Sequence, residues 1–256
     1  MSHFYDTDGK PVYQVPNKSK PGTMRGTTLR DMRKLDLAVG VTSINSLTRS
    51  VQLDEWKIKE TIRYCMSKPF DAMCKTQEDY INEIIEESAK ALTKTSDRGK
   101  EIHAAMEEYY TKDIVHGKDE RYIVPVINGI REKWNTRWSA EETFNYKGLY
   151  GGSVDLSSSW GEGDGIVLDF KVKDKDGEAF NRIKGYESYK MQIAAYRVGL
   201  GMPNAIGGNV YISSKQPGLF KIELYGNEEL DRHFEMFMNL CRYWHLNNKT
   251  GRNLNV

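Results

Sequence analysis

The chain has 256 residues, of which 39% are hydrophobic and 29% are charged, and 37 Lys and Arg residues nearly balance 36 Asp and Glu residues. This composition excludes an intrinsically disordered chain, and the lack of a long apolar run predicts no membrane contact. The N-terminus has no apolar segment typical of a secretory signal, and the three cysteines (Cys65, Cys74 and Cys241) are too few for a disulfide scaffold. We therefore expect a cytoplasmic protein.

Residues 1–28 are predicted to form an extended basic arm. Residues 10–37 contain seven basic residues, two acidic residues and three prolines, a pattern that disfavours helix before about Leu29. One interpretation is a solvated, mobile terminus. The other is an arm that follows a phosphate backbone, and it makes six basic residues candidate DNA contacts: Lys18, Lys20, Arg25, Arg30, Arg33 and Lys34.

Residues 29–138 are predicted to be mainly helical. Apolar residues recur at helical spacing, and cap residues and prolines mark the boundaries. The predicted helices cover residues 43–66, 77–93, about 96–112, and 122–136 with Pro125 in its first turn.

Residues 139–256 are predicted to form a sheet core with flanking helices, within one domain that covers residues 29–256. Alternating or apolar runs followed by turn residues predict strands, and longer amphipathic segments predict helices. The strands are placed at residues 140–147, 153–159, 165–173, 208–213 and 218–225, and the helices at 184–200 and 227–247. The order indicates an α/β or α+β fold.

Two carboxylates and a lysine stand together in the predicted hairpin. Asp169 and Lys171 are two residues apart, so they point to the same face of one strand, and Asp155 lies on the neighbouring strand. Paired carboxylates attract a hard divalent cation. A lysine beside them can orient or deprotonate a water, or stabilise negative charge on phosphorus. Taken alone, an Asp-x-Lys pair on a strand is usually a solvated, salt-bridged face.

Two helices add polar pairs at a spacing of four residues. His103 and Glu107 share one helical face, and so do Gln192 and Tyr196. A histidine flanking the apolar stripe can complete a metal shell. Each pair in isolation is more typical of an ordinary boundary or core residue.

The order of these pieces resembles that of the PD-(D/E)XK nuclease superfamily. The pattern reads Gly99-x-x-x-His103-x-x-x-Glu107, Gly152-x-x-Asp155, Asp169-Phe170-Lys171 and Gln192-x-x-x-Tyr196. It is most similar to the branch that contains RecB nuclease domains, Cas4-like nucleases and the mitochondrial genome-maintenance exonuclease. The segment from Val41, VTSINSLTRSVQLDEWKIKETI, is similar to the N-terminal helix of phage-encoded members. Val154 replaces the proline of the namesake motif, and Asp169 stands where many members have Glu.

The resemblance implies a restriction-endonuclease-like core and a site for Mg²⁺ or Mn²⁺. His103, Asp155, Asp169 and the backbone carbonyl of Phe170 would hold the metal, with Glu107 as a further candidate ligand. Lys171 would be catalytic, and Gln192 and Tyr196 would orient it or contact phosphate. Three cysteines cannot supply the four thiolates of the iron–sulfur cluster found in some relatives, so no cluster is expected.

The resulting hypothesis is a metal-dependent deoxyribonuclease, most simply an exonuclease that acts at DNA ends, including single-stranded ends. Tyr5, Tyr13 and Trp56 are additional candidate contacts to bases, with core packing as the alternative. A single-strand annealing or binding protein is a candidate partner, and a phage-encoded enzyme would act in the host cytoplasm. The competing hypotheses are an endonuclease, an RNA-directed nuclease, and a catalytically silent DNA-binding or assembly factor.

Overall fold

The computed structural model describes residues 3–48, 51–71, 75–161 and 163–254, without the side chains of residues 51–53, 89 and 91–96. Its strands are β1 (Phe4–Tyr5), β2 (Gln14–Pro16), β3 (Met24–Gly26), β4 (Ala38–Gly40), β5 (Ser139–Tyr146), β6 (Tyr150–Ser159), β7 (Gly165–Lys173), β8 (Ile206–Ser213) and β9 (Phe220–Tyr225). Its helices are α1 (Leu29–Leu35), α2 (Val41–Asn45), α3 (Val51–Ser67), α4 (Gln77–Lys112), α5 (Gly117–Lys133), α6 (Gly177–Asn181), α7 (Glu187–Gly199) and α8 (Asn227–Asn247).

A seven-stranded mixed sheet lies at the centre of the fold. Its strand order is β1-β4-β6-β7-β8-β9, with β5 paired to β6. The β5/β6, β6/β7 and β8/β9 pairs are antiparallel, whereas β7 and β8 are parallel and are joined through α7. A parallel pair needs such a helical crossover. The predicted α/β class, a central mixed sheet flanked by helices, is confirmed.

The sheet separates two apolar clusters. Side chains alternate between the faces of a strand, so Val167 of β7 packs with α7 and α8, while Leu168 and Phe170 pack against α4 and α5. Asp169 and Lys171 share the parity of Val167. The same alternation therefore directs the two polar residues towards α7, which carries Gln192 and Tyr196.

Three predicted helix boundaries are wrong. The helices predicted at residues 77–93 and 96–112 form one helix of 36 residues, α4, because no Gly or Pro interrupts residues 77–98 and the chain is already helical at the predicted cap. The helix predicted at residues 43–66 is divided, since α2 ends at Asn45 and α3 begins at Val51. Helix α5 begins at Gly117, five residues earlier than predicted, so Pro125 lies inside the helix.

The first 28 residues contribute strands to the fold. Strand β1 pairs with β4 at the end of the sheet, and Phe4 and Tyr5 are 1% and 4% exposed. Strands β2 and β3 form a separate hairpin. Helix α1 begins at Leu29, where Thr28 and Asp31 form a capping box. The N-terminal segment is therefore anchored by buried aromatic side chains.

No helix among the described residues has the length and apolar character needed to span a membrane. Cys65 and Cys241 are free thiols, and Cys74 lies outside the described residues.

Candidate active site

The candidate site lies where β6 and β7 separate. Their ladder runs from Ser159↔Gly165 to Leu156↔Leu168. One step further, the N–H of Phe170 donates to Oδ2 of Asp155 at 2.6 Å. A carboxylate thus replaces the next backbone acceptor, and the strands open between Asp155 and Asp169. This opening brings together polar side chains from α4, β5, β6, β7 and α7.

We call Asp169, Lys171, Gln192 and Tyr196 the inner half of the site. Nζ of Lys171 lies 2.7 Å from Oδ2 of Asp169 and donates to Oε1 of Gln192 at 3.1 Å. The amide nitrogen of Gln192 donates to Oδ1 of Asp169 at 2.9 Å and lies 2.8 Å from the hydroxyl of Tyr196. The structure therefore brings these four predicted residues into one buried hydrogen-bonded network.

The inner half is extended by residues that the sequence did not indicate. Nδ2 of Asn209, on β8, donates to Oδ2 of Asp169 at 3.0 Å, and the hydroxyl of Tyr225 donates to Oδ1 of Asn209 at 2.7 Å. Asn209 is directly opposite Asp169 in the parallel β7/β8 register. A polar residue in an apolar strand was the available signal, but its partner depends on that register.

We call His103, Glu141 and Asp155 the outer half of the site. Nε2 of His103 lies 2.9 Å from Oδ2 of Asp155, and the side chains of His103 and Asp155 are 33% and 12% exposed. One ligand atom from each of the three residues lies within 4.8 Å of the others. The outer half is therefore more open to solvent than the inner half, and it brings together donors that suit a cation.

Glu141 was not predicted. Its neighbours pair as Ala140↔Leu156 and Glu142↔Val154, so Glu141 stands opposite Asp155. Its φ of 51° lies in the left-handed region, which is uncommon for a residue with a side chain. Its carboxylate accepts from the hydroxyl of Ser153 at 2.6 Å. The sequence AEETF offers two adjacent acids, and only the strand register selects this one.

Burial and charge shift the pKa values of the site in different directions. Burial raises the pKa of Asp169, although the charge of Lys171 opposes the shift. Burial alone would lower the pKa of Lys171, but the charges of Asp169 and Asp155 raise it above its usual value. Burial likewise opposes protonation of His103, yet its hydrogen bond to Asp155 raises its pKa to about 9.

Negative charge is crowded in the outer half. Burial and the charges of Asp155 and Glu107 raise the pKa of Glu141, against the hydrogen bond from Ser153. A divalent cation would relieve this repulsion, and one imidazole with two carboxylates is a suitable donor set for it. The residues present could therefore hold a divalent metal, and Glu141 joins His103 and Asp155, two of the predicted ligands, in that group.

Other predicted ligands are placed differently. Asp169 lies outside the group of His103, Glu141 and Asp155, and its oxygens are bonded to Lys171, Gln192 and Asn209. Glu107 is exposed and close enough to Glu141 to influence its pKa. The roles proposed for Glu107 and for the carbonyl of Phe170 stay predictions.

The predicted DNA-contacting residues fall into two groups. Lys18, Lys20, Arg30, Arg33 and Lys34 are exposed, and Arg25 is half-buried. Arg25 instead forms a two-pronged ion pair with Asp31, at 2.6 and 2.8 Å, and Arg33 donates to the backbone carbonyl of Asn248. These two arginines make contacts within the fold that sequence alone did not show. Among the aromatic candidates, Tyr5 is buried, Trp56 is half-buried and Tyr13 is exposed.

A second lysine lies beside the inner half. Lys173 follows Lys171 by two residues, and its Nζ donates to the hydroxyl of Tyr189 at 2.6 Å. Burial, with the charges of Lys171 and Lys175, lowers its pKa to about 8. A partly desolvated cation at this position can attract a phosphate. Its spacing from Lys171 was a signal in the sequence.

Gly152 permits the close approach of α7 to β6. A Cβ at this position would lie 2.8 Å from Cε1 of Tyr196 and 2.9 Å from Cε1 of Phe144. Gly99, on α4, differs, since an added Cβ would meet Val172 at an ordinary 3.8 Å. Of these two glycines in the sequence pattern, only Gly152 is required by packing.

Comparisons with known proteins do not identify a family. No family model matches the chain, and no curated protein matches it. Among solved structures, a chain described as "Crystal structure of SSO0001" aligns with 73% of this chain and 86% of its own length, at 15% identity and a TM-score of 0.29. At this TM-score the likeness does not establish a common fold.

Proposed function

We propose that this chain is a metal-dependent nuclease with a restriction-endonuclease-like core, of the PD-(D/E)XK type that its sequence pattern resembles. The observation that carries the proposal is the convergence of Asp155, Asp169 and Lys171 where β6 and β7 separate, with His103 bonded to Asp155. The sequence pattern predicts that these side chains lie close together. Their proximity also depends on the β6/β7 register, which the pattern does not determine.

The metal, which we propose to be Mg²⁺ or Mn²⁺, would be held by His103, Glu141 and Asp155, with Asp169 adjacent. A bound divalent cation supplies Lewis acidity, which polarises a phosphate and lowers the pKa of a bound water. Imidazole is a better ligand for transition metals than for Mg²⁺, so we expect Mn²⁺ to bind more tightly than Mg²⁺.

The role of Lys171 follows from its protonation state. A general base must be neutral to accept a proton, whereas the charges of Asp169 and Asp155 raise the pKa of Lys171 and favour its protonated form. We therefore assign Lys171 to stabilising the negative charge that develops on the phosphate oxygens during in-line attack by water. Gln192 accepts from Nζ and donates to Asp169, so it fixes the position of the lysine.

Action on DNA, and preferentially at DNA ends, is the finer part of the proposal and rests on the sequence resemblance. An intact set of two acids and a lysine weighs against a catalytically silent binding factor. The exposed Lys18, Lys20, Arg30 and Lys34 remain candidate phosphate contacts.

One gel tests the proposal. End-labelled linear single- and double-stranded DNA, covalently closed circles and labelled RNA are incubated with protein and Mg²⁺, Mn²⁺ or EDTA. Wild type is compared with Asp155→Asn and Lys171→Ala, whose melting temperatures are measured in parallel. Metal-dependent loss of linear DNA alone, absent in both variants, supports the exonuclease.

Each contrary result has a distinct meaning. Cut circles would replace the exonuclease with an endonuclease, and preferential loss of RNA would change the substrate. Binding without cleavage of any substrate would favour the silent DNA-binding factor. Full activity in Asp155→Asn would show that the proposed site is not the active site.

A further inference from the structure

A cavity of about 440 Å³ lies at the C-terminal end of α4, about two turns beyond His103. It is lined by the end of α4, the end of α5 and the segment before β5, and four of its residues are aromatic: Tyr109, Tyr110, Trp134 and Trp138. We call this space the aromatic cavity. Its volume lies within the range of ligand pockets.

The four rings are arranged as a lining rather than as a closed core. Tyr109 and Tyr110 meet edge to face at a centroid distance of 5.0 Å, and Trp134 and Trp138 do so at 6.2 Å. Tyr110 and Trp138 connect the two pairs at 6.5 Å. All four residues are partly buried, and they pack against the apolar cluster that contains Phe170. A partly accessible aromatic lining beside a cavity is typical of a ligand pocket.

Ring contacts connect the aromatic cavity to the candidate active site. Tyr110 stacks on Phe170 at 6.4 Å with an interplanar angle of 19°, and Phe170 meets His103 edge to face at 6.1 Å. Tyr110 follows His103 by seven residues of one helix, a rise of about 10 Å. That distance corresponds to about three nucleotides at the stacked spacing of a DNA strand.

The charge around the aromatic cavity favours an anionic ligand. Arg131 and Lys112 line it, with Lys112 also paired to Glu108 at 3.5 Å, and Nζ of Lys133 lies 5.4 Å from the ring centroid of Trp134. Asp113 is the acidic residue of the lining. Arg131 donates to the hydroxyl of Tyr109 at 2.6 Å, which holds a guanidinium beside the rings. Aromatic rings with adjacent cations are the combination that binds unpaired nucleotides.

We infer that the aromatic cavity binds unpaired bases of a single DNA strand, about three nucleotides from the reacting phosphate. This inference rests on the proposed function for its choice of DNA. It also names the form of the substrate, because the faces of paired bases inside a duplex cannot reach the rings. The enzyme should therefore prefer single strands, or ends that have frayed, over blunt duplexes.

The test measures binding in EDTA, so that no cleavage intervenes. The probes are a short fluorescent oligo-dT strand and a blunt duplex. Trp134→Leu should weaken oligo-dT binding about tenfold, the effect expected from losing one base–aromatic stack, and leave duplex binding unchanged. The matched Trp134→Phe should bind like wild type. Equal oligo-dT affinity of wild type and Trp134→Leu would overturn the inference.

A second measurement uses the wild-type protein and so does not depend on the folding of a variant. A single strand that contains bromodeoxyuridine is crosslinked by light, and the modified peptides are mapped. Crosslinks at Tyr109, Tyr110, Trp134 or Trp138 support the inference. Crosslinks confined to other segments contradict it.

The two proposals fail in different ways. In the first case, wild type cleaves DNA with Mn²⁺, Trp134→Leu binds oligo-dT normally and crosslinks fall elsewhere. The single-strand site in the aromatic cavity is then wrong, and the proposed nuclease activity is unaffected. In the second case, wild type cleaves nothing but Trp134→Leu loses oligo-dT binding, so the single-strand site is supported and the proposed nuclease activity is wrong.

Discussion

The two halves of the candidate site differ in how the charges of their carboxylates are balanced. In the inner half, Asp169 is 3% exposed at its side chain, and Lys171, Gln192 and Asn209 satisfy it. In the outer half, Asp155 and Glu141 lie close together with His103 as the neighbouring positive group. The inner half is complete as it stands, whereas the outer half gains most from an added cation.

This difference separates residues that stabilise the fold from residues whose expected role is limited to metal binding and cleavage. A buried ion pair is costly to break from one side, because the remaining charge loses both water and its partner. A partly exposed carboxylate keeps access to water, so its removal costs the fold little. Substitutions in the inner half should therefore reduce both stability and activity, and substitutions in the outer half should reduce activity and metal affinity.

The largest contrast is expected between Lys171→Ala and Asp155→Asn. Both should lower cleavage by about 10²–10⁴-fold, measured as initial rates with Mn²⁺. Lys171→Ala should also lower the free energy of unfolding by about 3–5 kcal/mol, since Asp169 stays buried without its partner. Asp155→Asn keeps an acceptor for the N–H of Phe170 and loses only the more exposed ion pair with His103, so it should cost less than Lys171→Ala. Equal destabilisation of both variants in urea would contradict the comparison.

Metal removal is the next test of the outer half. Mn²⁺ at a hundred times its dissociation constant should raise the free energy of unfolding by about 2.7 kcal/mol, and EDTA should reverse this gain. Glu141→Gln should abolish most of the gain, and Glu107→Gln serves as the matched control. A gain that survives in Glu141→Gln but disappears in Glu107→Gln would exchange the roles of the two glutamates.

Lys173 adds a pH dependence beside the inner half. Its pKa of about 8 in the folded chain lies below its usual 10.5, so the unfolded chain binds more protons between these values. Stability should therefore rise as pH increases from about 8 to 10.5. Lys173→Met should remove that rise and stabilise the protein at pH 7 by about 1–3 kcal/mol, measured by urea unfolding. A variant with the wild-type pH profile would show that Lys173 is not desolvated.

The last comparison is between the two motif glycines, and Gly99→Ala should have the smallest effect of all. Gly152→Ala should destabilise the fold by about 1–3 kcal/mol, because the new methyl group would overlap Tyr196 and Phe144. Gly99→Ala should stabilise it by about 0.5–1 kcal/mol, because alanine favours helix and the space is free. Thermal unfolding of both variants measures the difference, and a destabilised Gly99→Ala would mean that α4 packs more tightly at this point.

Local patterns were sufficient for part of the site. The spacing of Asp169 and Lys171 placed both on one face of β7, since side chains alternate along any strand. The four-residue spacing of Gln192 and Tyr196 placed them on one face of α7 in the same way. These relations depend only on the period of the element that carries them.

The remaining site residues depended on contacts between distant segments. Glu141 joins the outer half through the β5/β6 register, and Asn209 reaches Asp169 through the β7/β8 register. A register is set by the packing of whole strands, so neither residue differs locally from other polar residues. The basic arm shows the same limit, because Arg33 donates to the backbone carbonyl of Asn248, 215 residues away.

The sequence by itself determined the α/β class, the strands of the core and the faces on which its polar residues stand, because these follow from hydrophobic periodicity within single elements. Only the tertiary structure decided that α4 brings His103 to Asp155, and that β6 and β7 separate beside that carboxylate. The aromatic cavity was likewise decided by packing, because its rings come from segments 25 residues apart in the chain, between Tyr109 and Trp134. Such convergence arises from burial of apolar surface over the whole sheet, which no local pattern records.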